Sequence, residues 1–385
     1  MSSGRTSSPA RGRVLFVANT DWYLFNFRLN LIKEAEKHGW YPQLACGDSG
    51  YTERLRAHKW PVHTLPLSTK GANPFREIWA LYRLIRECRR VQPDVIHLFT
   101  LKCVLYGSLA APFAPRARVV GALTGMGYLF TSRRADVRLL KTLVLHALKL
   151  GLKLSNAQLI FQNEFDRTEF VDNGLISRDR TRVIRGSGVD CNAFNPKNRK
   201  PAANRRRRLL FCGRLIAEKG IRDYLQATAT LQKQGYEFES RIAGQPYPGN
   251  PSSLSAQEVE ELSKSSAHCF LGHQDNMPAL LAATDVVVLP TYYREGTPKV
   301  LIEAAAAGCA LITTTIPACE DIVENGSNGY YVEPTNPDQL VVALRKILDS
   351  SWETLYKLQE RSRQIAIERF SDTQVNDRTL TCYSD

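Results

Sequence analysis

Short apolar runs alternate with amphipathic stretches of helical length along the chain, and this alternation constrains its fold more than any other feature. An apolar run at 14–18 precedes a helical pattern over 25–37 that Gly39 closes. The rhythm continues with strands expected at 43–46 and 62–65, a helix at 75–91, and strands at 94–99, 119–123 and 158–162. Strands spaced by helices build a mostly parallel sheet covered on both faces. The pattern restarts with a strand at 209–212, a helix at 220–234 and strands at 238–243, 286–289 and 310–313. At 385 residues the chain exceeds what one hydrophobic core usually holds. The expected architecture is therefore α/β, with two doubly wound, Rossmann-like domains facing a central cleft. One spans 13–194 and the other 209–369, joined by a Pro/Asn/Lys/Arg-rich linker at 195–208. The segment 370–385 is expected to pack back toward the N-terminal domain. Ligands of such sheets lie outside the carboxyl ends of the strands.

Residues 1–12 are rich in Ser, Arg and Gly, without an apolar core, and read as a disordered N-terminus rather than a signal peptide. No run approaches the roughly 20 apolar residues of a bilayer span. Nine scattered cysteines without a C-x-x-C pair point to a reducing, cytoplasmic setting rather than to a disulfide framework or a zinc site. Charge is divided unevenly. Residues 1–200 carry 32 Lys/Arg against 15 Asp/Glu, a balance of +17, whereas 201–385 carry 19 against 23, or −4. The basic half is suited to an anionic partner, and nucleic acid, an acidic membrane and a phosphorylated substrate all qualify. No nucleic-acid recognition module accompanies the charge, so nucleic acid is not expected among the partners.

The most specific motif runs from Glu295 through Gly296, Thr297 and Pro298 to Glu303, Ala304, Ala307 and Gly308. Thr297 is placed to cap a helix over 298–307, Pro298 suits its first turn and Gly308 its exit. The N-terminus of that helix, beside Gly296, is suited to phosphate. Glu303 lies among Leu301, Ile302 and alanines, where a carboxylate needs a partner. A vicinal diol such as a ribose would serve, and so would a Lys or Arg. A second motif, Gly213-Arg214-Leu215 with Glu218-Lys219-Gly220, follows the first strand of the second domain. Arg214 and Lys219 there could stabilise the charge that develops on a diphosphate leaving group, or be ordinary surface cations.

Together these motifs resemble glycosyltransferase family four, of the two-domain type called GT-B. The Glu295–Glu303 spacing matches that family's E-x7-E motif, and Asp285 with Val288-Leu289-Pro290, Gly329-Tyr330-Tyr331-Val332, Gly188-Val189-Asp190 and Pro93-Asp94-Val95-Ile96-His97 add family-like punctuation. The resemblance covers residues 13–370 and is closest to members that build bacterial surface polysaccharides on lipid carriers. It implies a retaining transferase that takes a sugar from a nucleotide diphosphate, commonly UDP, an N-acetylhexosamine being one candidate sugar. It assigns Arg214 and Lys219 to the diphosphate and Glu295 to the donor sugar as the catalytic set. It also implies donor binding by Gly213, Leu271, His273, Gly296, Thr297, Pro298, Leu301 and Glu303. Acceptor-side candidates are Asn19, Thr124, Gly125, Gly127 and Asn163. No D-x-D occurs in the sequence, so no metal or other cofactor is expected beside the nucleotide sugar. A sugar-nucleotide epimerase, a phosphorylase, or a transferase to a soluble acceptor would share the architecture.

Three departures from the family stand out. Asn19-Thr20-Asp21-Trp22-Tyr23 replaces a glycine-rich loop, and Phe99 and Met126 stand where many members carry histidine. On the acceptor side, a helix expected over 135–154 carries Arg138, Lys141, Lys149 and Lys153 around an apolar set including Leu139, Leu143, Leu148 and Leu150, with Arg133 and Arg134 just before it. That composition suits either an interfacial helix on anionic lipid or a core helix with a basic rim. The expected partners are a nucleotide sugar, a polyprenyl-diphosphate-linked saccharide and an anionic membrane surface, with the protein held peripherally at the inner face of the cell membrane.

Overall fold

The computed structural model describes residues 11–67, 73–125, 135–196, 206–265, 268–293 and 295–384. The chain forms two compact units. The first comprises 1–187, 294–296 and 374–385, the second 188–293 and 297–373.

Seven parallel strands form the sheet of the first unit: β1 (Gly12–Ala18), β2 (Trp40–Cys46), β3 (Val62–Thr64), β4 (Val95–Phe99), β5 (Arg118–Leu123), β6 (Gln158–Phe161) and β7 (Thr181–Val183). Their order is β3-β2-β1-β4-β5-β6-β7, so the direction of winding reverses between β1 and β4. Side chains of β1 alternate between two cores. Leu15 and Val17 face one with Leu84, Leu98, Val104 and Leu148, while Val14 and Phe16 face the other with Leu31, Ile32, Phe99 and Leu380. The first core is covered by helices α2 (Pro74–Val91), α3 (Leu101–Ala110) and α4 (Ala135–Leu154), and the second by α1 (Leu29–Lys37) and the segment 374–383.

Two details differ from expectation here. Gly12 already belongs to β1, where Arg13 donates its N–H to the Asp94 carboxylate at 2.7 Å. The first helical stretch begins at Asp21 rather than 25, capped by the Thr20 hydroxyl, and passes through a wide turn over Leu24–Arg28 before α1. The loop that replaces the glycine-rich one is thus organised by a buried carboxylate. Asp21 accepts from the Ser49 N–H at 2.8 Å, the Tyr51 N–H at 2.9 Å and the Thr52 hydroxyl at 2.8 Å. Burial works to raise its pKa, and the hydrogen bonds from Ser49, Thr52 and Tyr51 overcome this and hold it below the ordinary value.

The second unit has six parallel strands: β8 (Arg207–Cys212), β9 (Phe238–Ala243), β10 (His268–Gly272), β11 (Val286–Leu289), β12 (Ala310–Thr314) and β13 (Gly329–Val332). Their order is β10-β9-β8-β11-β12-β13, with the reversal between β8 and β11. β11 and β12 are buried at every residue, as a sheet covered on both faces requires. Arg207 and Arg208, expected in the linker, pair with Phe238 and Glu239 in the sheet, and residues 197–205 lie outside the described set. β7, β10 and β13 were not anticipated as strands. Each lies at an edge of its sheet and is partly exposed, so no continuous apolar run marks it.

Candidate active site

The strand order of the second unit brings the carboxyl ends of β10, β9, β8 and β11 side by side. Gly213 and Arg214 leave β8 there, beside the switch point with β11. A short turn over Ala217–Lys219 leads to Gly220, whose φ of 79° is a left-handed conformation. A side chain at Gly220 would collide with the Pro290 carbonyl, so glycine is needed for the turn to lie against the end of β11. At Gly213 a Cβ would meet only Leu289 and Lys219 at 3.8–4.0 Å. The fold itself therefore does not demand glycine at 213.

Two tyrosines that the motifs did not reveal hold the cations in place. The Arg214 guanidinium lies over the rings of Tyr247 and Tyr293, each 5.0 Å from the centroid, and the Lys219 ammonium lies 5.6 Å from that of Tyr293. Tyr293 is fixed through its backbone, donating to the Thr291 hydroxyl at 3.2 Å, while that hydroxyl donates to the Glu218 carbonyl at 3.1 Å. Cation and ring attract each other more strongly when water is excluded, and Lys219 is buried. The sequence signal was present but unread: Tyr292 and Tyr293 directly precede the Glu295 motif.

Helix α6 (Lys299–Ala306) carries Glu303, which is buried. Thr297 does not cap it. Pro298 takes the capping position with φ −63° and ψ 116°, its carbonyl accepting from the Leu301 N–H at 3.1 Å. A proline ring fixes that φ in advance, which displaces the start of the helix by one residue. Leu301 is fully buried in the core and serves packing. Lys299 Nζ, one helical turn earlier, lies 3.5 Å from the Glu303 carboxylate. Burial nevertheless raises the Glu303 pKa, against the attraction of Lys299. The Cys212 thiol is pushed up to about 12 by burial first and then by the Glu303 charge, with Lys219 opposing. Glu303 and Lys219 thus both lie within electrostatic reach of the end of β8. At the end of β10, Leu271 is half-buried and its carbonyl accepts from Gln274 at 2.7 Å. His273 is exposed, 3.4 Å from Asp275.

Glu295 and Gly296 cluster with the first unit, and Arg294 lies outside the described residues. The Gly296 N–H does not point to an open phosphate site as expected. It donates to the Thr124 carbonyl at 3.0 Å. A Cβ on Gly125, at φ 117°, would come within 2.8 Å of Glu295 Cα, and one on Gly296 would strike the Gln162 side chain. Both glycines serve this backbone contact. Asn163 is likewise engaged: its side chain caps helix α5 (Glu164–Asp172), accepting from the Asp166 N–H at 2.7 Å and donating to the Asp166 carboxylate at 3.0 Å. Gly127 and Met126 lie outside the described residues.

At the switch point of the first sheet, Asn19 leaves β1 and its side-chain amide oxygen, Oδ1, accepts from the Cys103 thiol at 3.1 Å. Thr100, missed by the sequence reading, follows β4 with φ 74° and ψ 155°. That region is close to forbidden for a β-branched residue and costs roughly 1–3 kcal/mol, and such strain gathers at functional sites. Phe99 is fully buried, stacked on Phe16 with the Arg28 guanidinium 4.7 Å from its centroid. It fills the core where a histidine would titrate. His97 is buried too, its Nδ1 2.6 Å from the Tyr383 hydroxyl. Burial, and then Arg28, press its pKa well below the ordinary value, so it is neutral. Among the described residues, the one grouping of potential metal ligands, Glu34, His38 and Asp377, lies where α1 ends before β2, at the opposite edge of the sheet from these loops.

Comparison with known proteins places this arrangement. Residues 13–164 match the family described as glycosyl transferase 4-like, and residues 194–369 the glycosyl transferases group 1. The chain belongs to the family-four glycosyltransferases. Over 96% of its length this enzyme is 24% identical to the N,N'-diacetylbacillosaminyl-diphospho-undecaprenol alpha-1,3-N-acetylgalactosaminyltransferase of Campylobacter jejuni, covering 98% of that protein. It is 23% identical over 89% of its length to the UDP-Gal:alpha-D-GlcNAc-diphosphoundecaprenol alpha-1,3-galactosyltransferase of Escherichia coli, covering 88% of it. Sucrose-phosphate synthase of Thermosynechococcus elongatus matches the glycosyltransferase in fold with a TM-score of 0.78 at 16% identity, over 97% of this chain and 98% of that one. Anabaena Alr3699/HepE in complex with UDP gives 0.75 at 19%, over 97% and 99%. The fold is GT-B.

Proposed function

We propose that the enzyme transfers a sugar from a nucleoside-diphosphate carrier, UDP among the candidates, to a saccharide borne on a polyprenyl diphosphate, with retention at the anomeric carbon. The observation that carries the donor half is the pairing of Arg214 and Lys219 with Tyr293 at the carboxyl end of β8. In the reaction the bond from the anomeric carbon to the diphosphate oxygen breaks, and its electron pair leaves with the diphosphate. The acceptor hydroxyl oxygen bonds to the same carbon from the same face, and its proton passes to the departing phosphate oxygen. Fixed cations at that oxygen stabilise the transition state more than the ground state, so no metal is needed. Glu303 would accept hydrogen bonds from the ribose, and Glu295 would position the sugar. His97 is unsuited to act as a base, because it is fully buried with Nδ1 held by the Tyr383 hydroxyl and burial lowers its affinity for a proton.

The acceptor half is supported by the relatives from C. jejuni and E. coli, whose names specify undecaprenol-diphosphate acceptors. No helix among the described residues is long and apolar enough to cross a membrane. A peripheral position on the inner face of the cell membrane follows for an enzyme whose acceptor is embedded there. Incubation with a panel of nucleotide sugars and lipid-linked saccharides, with the product identified by mass and anomeric linkage, tests the reading. A lengthened lipid-linked product with retained configuration is expected, and transfer only to soluble acceptors would refute it.

A further inference from the structure

Helix α2 of the first unit turns a row of large apolar side chains away from the protein. Phe75 is 83% exposed, Ile78 67%, Trp79 49% and Tyr82 52%. At intervals of three and four residues they share one face over the first two turns, opposite the buried Ala80, Leu84, Cys88 and Val91. Four such residues exposed together on one helix are not the scattered surface hydrophobes of an ordinary soluble domain. The same face continues toward the C-terminus with Arg86, Arg89 and Arg90, all exposed. The two carboxylates of the helix leave Arg86 and Arg89 of this face unopposed. Glu77 pairs with Lys102 at 2.8 Å and takes the Tyr106 hydroxyl at 2.6 Å, and Glu87 pairs with Arg90 at 2.8 Å.

A second helix of the same layer shares the pattern. α4 packs against α3 over the same core as α2, and it exposes Leu143 (61%), Leu150 (53%) and Leu154 (57%) beside Lys149. The aromatic end of α2 follows β3, so it lies at the carboxyl edge of the first sheet. The Glu77–Lys102 pair ties it to α3, which begins directly after the strained Thr100.

We infer that this face of the first unit, with Phe75, Ile78, Trp79 and Tyr82 of α2 at its centre, docks the enzyme on anionic lipid, the aromatic turns entering the interface and the arginines meeting the headgroups. Tryptophan and tyrosine with arginine nearby are the residues that settle at a bilayer interface, and an amphipathic helix with a basic flank binds anionic lipid in the plane of the surface. A second copy of the chain is the poorer occupant, since a self-complementary contact would bring the uncompensated arginines of two such faces together. The inference rests on the membrane-embedded acceptor proposed above and places its docking surface on α2.

The test is flotation of the full-length enzyme with vesicles of phosphatidylcholine alone or mixed with phosphatidylglycerol. The variants are F75S/W79S/Y82S and R86Q/R89Q, all at exposed positions, with folding checked by circular dichroism. Wild type is expected to float with the anionic vesicles and not with the neutral ones at moderate salt. Each variant should partition at least about tenfold less. The aromatic variant should keep wild-type turnover on a short-chain, detergent-dispersed acceptor and lose it on acceptor in vesicles. Equal flotation of wild type and the aromatic variant would overturn the inference. So would a wild-type dimer that the aromatic variant dissociates without any dependence on lipid. Failure of wild type to use even the dispersed acceptor would instead refute the acceptor reading, whatever the flotation shows.

Discussion

The two sheets wind alike, each reversing direction beside its first strand, yet the loops at the two reversals are chemically opposite. In the second unit the loop after β8 presents Arg214 and Lys219 against tyrosine rings, with the Glu303 carboxylate within reach of the same strand end. In the first, the corresponding loops present Asn19, the Cys103 thiol and a strained Thr100, and the nearby His97 is neutral. Topology alone therefore locates the crevices, and the side chains decide what each one does. The cationic crevice is suited to a leaving diphosphate. The neutral one offers the uncharged Asn19 and Thr100, with the buried Asp21 carboxylate of the same loop taken up by Ser49, Tyr51 and Thr52.

The largest test of that contrast is Arg214→Ala, which removes one fixed cation from the leaving group. Turnover should fall about 100-fold with the Michaelis constant for the acceptor little changed. A similar loss from Asn19→Ala would erase the distinction between the crevices. Next comes Asp21→Asn, which leaves buried donors from Ser49, Tyr51 and Thr52 poorly matched. It should destabilise the first unit by about 2 kcal/mol, read by thermal unfolding, without altering nucleotide binding. Because the native pKa of Asp21 is lowered, its contribution is present above the ordinary carboxylate pKa and is lost as pH falls through the native value. The mutant should therefore lose less stability than wild type on acidification.

Glu303→Gln should weaken nucleotide binding about tenfold, because an amide is a poorer acceptor than a carboxylate for two ribose hydroxyls. Burial raises the Glu303 pKa, so wild-type affinity should decline as pH falls through a value above 4.5, and the variant's profile should be flat across that window. The smallest effect expected is at Thr100. Replacing it with glycine relieves the left-handed strain and should stabilise the fold by up to about 1 kcal/mol, offset by the greater freedom of glycine in the unfolded chain. Acceptor turnover should drop while nucleotide affinity stays constant, which confines the effect to the neutral crevice.

Most of the sheet was legible because buried parallel strands are continuous apolar runs. The strands at 238–243 and 286–289 fell where composition put them, as did α4. The edge strands β7, β10 and β13 were not legible because they are not continuous apolar runs, and neither was the entry of Arg207 and Arg208 into β8, since charged residues at the start of a strand read as linker. Arg214 and Lys219 follow the first strand of the second unit, and Glu303 lies inside a helix, as the sequence led one to expect. Tyr247 and Tyr293 were not legible, because a cation–ring contact joins residues far apart in sequence. The start of α6 was misplaced by competition between two capping signals, which proline settled. The exposed face of α2 was hidden for a different reason. Its apolar residues have helical periodicity, and periodicity does not tell which of two apolar faces is buried.

Calorimetric titration of the folded enzyme with a nucleoside diphosphate tests the central claim most directly, comparing wild type with Lys219→Met and Thr100→Gly. Lys219 is buried against Tyr293, and methionine keeps its volume while deleting its charge. The account predicts affinity at least about tenfold weaker in Lys219→Met and unchanged in Thr100→Gly. Equal affinity in Lys219→Met and wild type, with both proteins folded, would contradict it.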